Sequence, residues 1–239
     1  MFDHVTIRAS DPAAAQRFYE LVLATIELPR AEDQRFPAWG NYEFFVLGHG
    51  PVTRRLHIAF GAPSREHVDE FWRVGTGAGY RDDGAPGLRP HYREDYYGAF
   101  LIDPDGNSVE AVVHGGMRRD GYIDHMWLRV ADVHASTRFY ETIAPHAALF
   151  VRRVDGERTQ LIGESGSFSV VRGEPTENVH IAFPATDNTV VDEFHRDALA
   201  AGYRDNGAPG ERPYHPGYYG AFVFDPDGNN IEVVNHNRD

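Results

Sequence analysis

The sequence predicts an α+β protein in which one strand-helix-strand-strand pattern, completed by one further strand, runs four times and is grouped into two tandem units. Three observations predict it. "GAPGLRPHYREDYYGAFLIDPDGNSVE" from Gly84 is answered by "GAPGERPYHPGYYGAFVFDPDGNNIE" from Gly207. "FDHVTIRASDPAAAQRFYE" from Phe2 is answered by "IDHMWLRVADVHASTRFYE" from Ile123, and "LHIAF" at Leu56 by "VHIAF" at Val179. Within each unit the order of elements then restarts, so each half looks doubled again. One extra residue between Pro90 and Tyr96 is the main break in register. The Gly-rich stretch "HGGMRRDG" at 114–121 marks the boundary, giving units 1–117 and 118–239.

In the first unit, "HVTIRA" alternates as a strand, and "SDPAAAQRFYELVLATI" has an Asp11 N-cap, Pro12 at the first helical position and an apolar stripe. Short strands are expected in "RFPAWG" and "YEFFVLG". After the restart come a strand at "LHIAF" and a helix over "SREHVDEFWRVGTGAGY", with Ser64 as its cap and Gly79 near its end. Strands at "YYGAFLIDP" and "SVEAVVH" follow, joined by a "DPDGN" turn in which Gly106 is free to take positive φ. "GAPG" reads as a turn.

The composition bounds the function. With 41% hydrophobic residues and no apolar run near spanning length, the chain is an ordinary globular protein that does not enter a membrane. Its net charge of −13 would repel a phosphate backbone, which argues against nucleic acid and for a neutral or cationic small molecule. Zero cysteines exclude disulfides and thiolate chemistry. The start lacks the basic end and apolar stretch of a secretory signal, so a cytoplasmic protein is expected, as monomer or homodimer.

Strand alternation sorts the chemistry-bearing side chains. His4, Thr6 and Arg8 share a face opposite Val5 and Ile7; His57 opposes Ile58 and Phe60; Glu110 opposes Val109 and Ala111. The aliphatics form the side on which helices pack, leaving His4, His57 and Glu110 on the helix-free side of a curved sheet. His125, His180 and Glu232 repeat the set. Two imidazoles and a carboxylate suit a divalent transition metal and leave coordination positions open for substrate. His114 and His236, four residues beyond each Glu on the same face, read as strand ends.

"FDHVTI", "LHIAF" and "DPDGNSVEAV", with their counterparts, resemble the metal-bearing strands of the vicinal-oxygen-chelate superfamily, which includes glyoxalase I, bleomycin-resistance proteins and extradiol dioxygenases. The resemblance covers the whole chain as two tandem units. It implies paired βαβββ modules forming cupped mixed sheets with helices on the outer face. It also implies two divalent metals (Fe, Mn, Ni or Zn) per chain, on His4, His57 and Glu110 and on His125, His180 and Glu232, with module exchange between units left open. The glyoxalase I pattern adds a fourth carboxylate, for which Glu43 is the only approximate match. The extradiol pattern has a Tyr where this chain has Phe100 and Phe222.

The expected activity is a metal-dependent glyoxalase-like or dioxygenase-like reaction on a small oxygenated molecule, held by two neighbouring oxygens. The alternative is a metal-free protein that sequesters a drug or metabolite. Arg89, His91 and Tyr96, with Arg212, His215 and Tyr218, are the expected substrate contacts, the arginines holding an anionic group. Tyr97 and Tyr219 are the expected catalytic residues.

Overall fold

The computed structural model describes residues 1–31, 36–118, 120–164 and 166–237. In chain order its elements are β1 (His4–Arg8), α1 (Pro12–Ala24), β2 (Ala38–Trp39), β3 (Phe44–Leu47), β4 (His57–Gly61), α2 (Arg65–Gly77), β5 (Arg81–Leu88), β6 (Tyr97–Ile102) and β7 (Ser108–Val113). They continue as β8 (Ile123–Val130), α3 (Val133–Ile143), β9 (Phe150–Val154), β10 (Arg158–Ile162), β11 (Ser167–Arg172), β12 (His180–Pro184), α4 (Asn188–Ala200), β13 (Asp205–Glu211), β14 (Tyr219–Phe224) and β15 (Asn230–Asn235). The strand-helix-strand pattern therefore runs four times, as its repetition predicts. Among the described residues no helix is long and apolar enough to cross a membrane.

Local sequence accounts for the starts and turns. Asp11 accepts from the Ala13 and Ala14 amides, with Pro12 opening α1, and Asp132 accepts from the His134 and Ala135 amides at α3. Ser64 precedes α2 but makes no capping bond; its hydroxyl turns to Glu66 and His67 instead. Gly106 and its counterpart Gly228 take φ of 92° and 91° in the two DPDGN turns. "GAPG" is not a turn. It lies within β5, a strand whose register against β6 shifts twice. Its glycine is needed for contact, because a Cβ on Gly84 would lie 2.8 Å from Phe100.

Hydrogen-bonded strand orders are β13-β14-β15-β12-β1-β3-β2 and β5-β6-β7-β4-β8-β11-β10-β9. Both are mixed, since β4 pairs parallel with β7 and β12 parallel with β15 while the hairpins are antiparallel. The chain divides into two compact units, Thr6–Trp127 and Met1–Val5 with Leu128–Asp239. These divisions fall inside β1 and β8, whereas the sequence repeat breaks at residue 117.

In the Thr6–Trp127 unit, α1 packs on α2 and β3, and α2 lies across β5, β6 and β7. Phe18, Tyr19, Trp39, Phe44, Phe60 and Phe71 are buried there, with Phe44 edge-on to Phe60 at 5.2 Å. Gly75 of α2 approaches so closely that a Cβ would lie 2.2 Å from Leu101. The helix therefore covers the Leu101 and Val109 face, and Glu110 points to the other side. In the second unit α4 lies across β13, β14 and β15 and packs on α3, over Phe139, Tyr140, Phe168 and Phe194.

Candidate metal centres

Two clusters of metal-ligating side chains form among the described residues: His57, Glu110 and His125, and His4, His180 and Glu232. Each cluster lies within one compact unit. The pairing left open by the sequence is thus exchanged: the first His of each repeat joins the second His and the Glu of the other. Strand neighbours explain it. β4 is flanked by β7 and β8, with Ala59 opposite both Glu110 and His125, and His57 one alternation away on the same face. Within each cluster the donor atoms lie within 4.8 Å of one another.

At the first cluster Glu110 Oε2 is 3.0 Å from His57 Nε2 and 3.5 Å from His125 Nε2. The other carboxylate oxygen, Oε1, accepts a 2.6 Å hydrogen bond from the Tyr96 hydroxyl. His57 Nδ1 is 3.1 Å from Ser108 Oγ, whose own proton is donated to Asp83 at 2.7 Å. Ser108 can then only accept from His57, so Nδ1 carries a proton. His57 Nε2 faces the Glu110 oxygen at 3.0 Å, across a gap that a proton or a metal ion can bridge.

His125 is oriented by the residue before it, with Nδ1 2.9 Å from Asp124 Oδ2 and His114 Nε2 3.3 Å from the same oxygen. Burial would lower the His125 pKa, but hydrogen bonds and charge from Asp124 and Glu110 outweigh it and raise the value to about 9. Burial would raise Glu110, yet His125 and His57 bring it down to about 2. The two carboxylates thus surround the buried imidazoles with negative charge. Tyr96 is pushed well above the usual phenol range, first by burial and then by Glu110, so it remains a donor.

The second cluster repeats the frame with different supports. His4 Nε2 is 3.1 Å from His180 Nε2 and 3.6 Å from Glu232 Oε2, which is 3.0 Å from His180 Nε2. Tyr218 donates to Glu232 Oε1 at 2.7 Å. Asp3 takes His4 Nδ1 on Oδ1 and His236 Nε2 on Oδ2, both at 2.7 Å. Asn230 stands where Ser108 stands in the first cluster and meets His180 Nδ1. Burial opposes a charged His4, but Asp3 and Glu232 raise its pKa.

Of the expected substrate contacts, Tyr96 and Tyr218 reach the clusters through the glutamates. Arg89 and Arg212 lie over Phe100 and Phe222, at 5.5 and 5.2 Å, and those rings lie against His57 and His180 at 6.0 and 6.1 Å. The His91 ring lies tilted against Tyr92 at 4.0 Å, while His215 Nε2 meets His236 Nδ1 at 2.8 Å. The catalytic expectation at Tyr97 and Tyr219 is corrected. Their hydroxyls bind Asp69 of α2 and Asp192 of α4, at 2.7 and 2.8 Å, on the helix side. Adjacent strand residues face opposite ways, so bringing Tyr96 to Glu110 sends Tyr97 away. Glu43 binds Arg118 and the Tyr122 and Ile123 amides, which ties down the connection to β8 rather than completing a centre.

The sequence reading missed Asp3 and Asp124, and the roles of Gly98 and Gly220. The repeated "DH" of Phe2–His4 and Ile123–His125 is the signal for the aspartates. A Cβ at Gly98 or Gly220 would lie 2.5 or 2.6 Å from the Glu110 or Glu232 carboxylate, so the "YYG" glycines make room for the glutamates.

No family model matches the chain. It resembles glyoxalase I from Zea mays at 17% identity, covering 98% of this chain and 92% of the maize chain with a TM-score of 0.69. It is similar also to a structure described as a putative dioxygenase from Bacillus subtilis subsp. subtilis str. 168, at 14% identity over 99% of this chain and 85% of that one, TM-score 0.69. The fold is that of the vicinal-oxygen-chelate superfamily, in two tandem units. The chain belongs to the family of the "Uncharacterized protein PA2024" of Pseudomonas aeruginosa, with 31% identity over 121 residues, 46% of this chain and 85% of that relative.

Proposed function

We propose that this chain is a metal-dependent enzyme of the glyoxalase and dioxygenase type, with a divalent transition metal at each cluster and a small substrate bound through two neighbouring oxygens. It is read as a cytoplasmic protein formed by fusion of units 1–117 and 118–239. The observation that carries the reading is the convergence of His57, Glu110 and His125 donor atoms within 4.8 Å of one another, with the His57 ring held in place by Ser108 and Asp83. A protein that merely filled a cavity with a ligand would have no use for that orientation.

The donor set fits such a metal. Imidazole nitrogen and one carboxylate oxygen suit iron, manganese, nickel or zinc, and three protein donors leave positions for substrate. When bound, the metal supplies Lewis-acid stabilisation of negative charge on substrate oxygen. The surrounding residues prepare the site. Asp124 and Asp3 fix the His125 and His4 rings, Tyr96 and Tyr218 hold the second glutamate oxygens, and Arg89 and Arg212 position an anionic substituent beside the Phe rings.

Elemental analysis of untagged protein purified without chelators tests the reading. Two metal equivalents per chain are expected, falling to one in His57→Ala or His180→Ala and to none in the double variant. Absence of metal after reconstitution would favour the sequestering alternative, to which the net charge of −13 suits a cationic compound.

A further inference from the structure

The two clusters share ligands, phenols and orienting aspartates, yet their walls differ. Two residues beyond His125 on the same face of β8 stands Trp127; two beyond His4 on β1 stands Thr6. The Trp127 ring lies 5.4 Å from His57 and 6.5 Å from His125. Tyr92 meets it edge-on, at 5.8 Å and 88°, and is 46% exposed. Phe100 approaches His57 from the β6 side at 6.0 Å. The first centre thus has an aromatic wall of three rings beside its donors.

The other centre keeps Phe222 against His180 but has Thr6 in place of Trp127, and a pair of stacked imidazoles lies at its rim. His215 and His236 stack at 5.0 Å and 17°, and are joined at 2.8 Å. His215 Nδ1 lies 2.7 Å from the Pro216 carbonyl and His236 Nε2 2.7 Å from Asp3, so the pair is anchored on both sides. Such a rim favours polar groups over a flat apolar ring.

We infer that the two centres select different ligands, and that the His57, Glu110 and His125 centre takes an oxygen chelator carrying an aromatic ring, which packs against Trp127 and Tyr92. The inference rests on the metal reading above. Offset and edge-to-face ring pairs add to simple area burial, enough for about tenfold in affinity.

Acetohydroxamic and benzohydroxamic acids test it, since both chelate through the same two oxygens and only one has a ring. Both are titrated into the metal-loaded chain by calorimetry, with tryptophan fluorescence and metal content read on the same samples. One equivalent of benzohydroxamate is expected to bind about tenfold more tightly than acetohydroxamate and to quench fluorescence. The preference should survive in His180→Ala and vanish in His57→Ala. Trp127→Thr should abolish the preference with acetohydroxamate binding unchanged; Trp127→Leu, which keeps apolar bulk, should do the same if the threonine variant fails to fold. Two metals with equal affinity for both acids, or a preference indifferent to Trp127, would overturn the inference. A chain that takes up no metal would overturn the function proposed above instead.

Discussion

The Tyr96 hydroxyl donates to Glu110 Oε1 at 2.6 Å, leaving Oε2 directed at His57 and His125. The carboxylate is fully buried, so this phenol is the support that keeps one oxygen occupied and aims the other. Tyr96→Phe is expected to weaken metal binding at that centre by about 10- to 100-fold, without altering the opposite centre. Competition with a chelator of known affinity measures it, and Tyr218→Phe should report the same change at Glu232. Equal affinity in both variants would remove the phenols from the account.

Gly98→Ala should be more damaging than its size suggests. The new Cβ would lie 2.5 Å from the Glu110 carboxylate, and a buried acid has little room to retreat. The expected outcome is loss of one metal equivalent per chain with the far-ultraviolet dichroism retained. Full metal content in the folded variant would show that Glu110 tolerates displacement.

Ser108→Ala removes the acceptor that fixes the His57 tautomer while leaving all three donors in place. Metal affinity should fall by about tenfold, and Ser108→Thr, which keeps the hydroxyl, should recover part of it. The matching change at Asn230 gives a comparison at the second centre.

Asp225 predicts a pH effect away from the metal. Burial, against the opposing hydrogen bonds from Asn229, raises its pKa from 3.8 to about 6. A carboxyl with a raised folded value contributes stability that is present below the unfolded pKa and lost as pH rises through about 6. The stability of Asp225→Asn relative to the parent should therefore grow between about pH 4 and 6 and then level off, by up to about 3 kcal/mol. Denaturant melts across that range measure it; a difference that is flat with pH would contradict the assignment.

Much of this site is legible in the sequence because alternation in short strands is nearly binary. His4, His57 and Glu110 could be placed on one face, and the DPDGN turns and Asp11 cap located, from local rules alone. Which triads form is a matter of strand order, set by long-range pairing of β8 with β4 and of β1 beside β12, and no local period records that. Tyr97 was misplaced for a different reason. Parity counted back from Phe100, which pairs with Glu110, already assigns Tyr96 to the centre and Tyr97 to the helices. "GAPG" misleads because its first glycine, Gly84, serves a close approach to Phe100 inside an irregular strand, a cause that composition cannot separate from a turn.

The central claim is that two metal centres form with exchanged first histidines. Anomalous diffraction from metal-loaded crystals, collected on either side of the metal's absorption edge, tests it most directly. The account predicts two peaks, one among His57, Glu110 and His125 and one among His4, His180 and Glu232. Peaks that join His4 to His57, or no peak at either cluster in protein soaked with iron, manganese, nickel and zinc in turn, would contradict it.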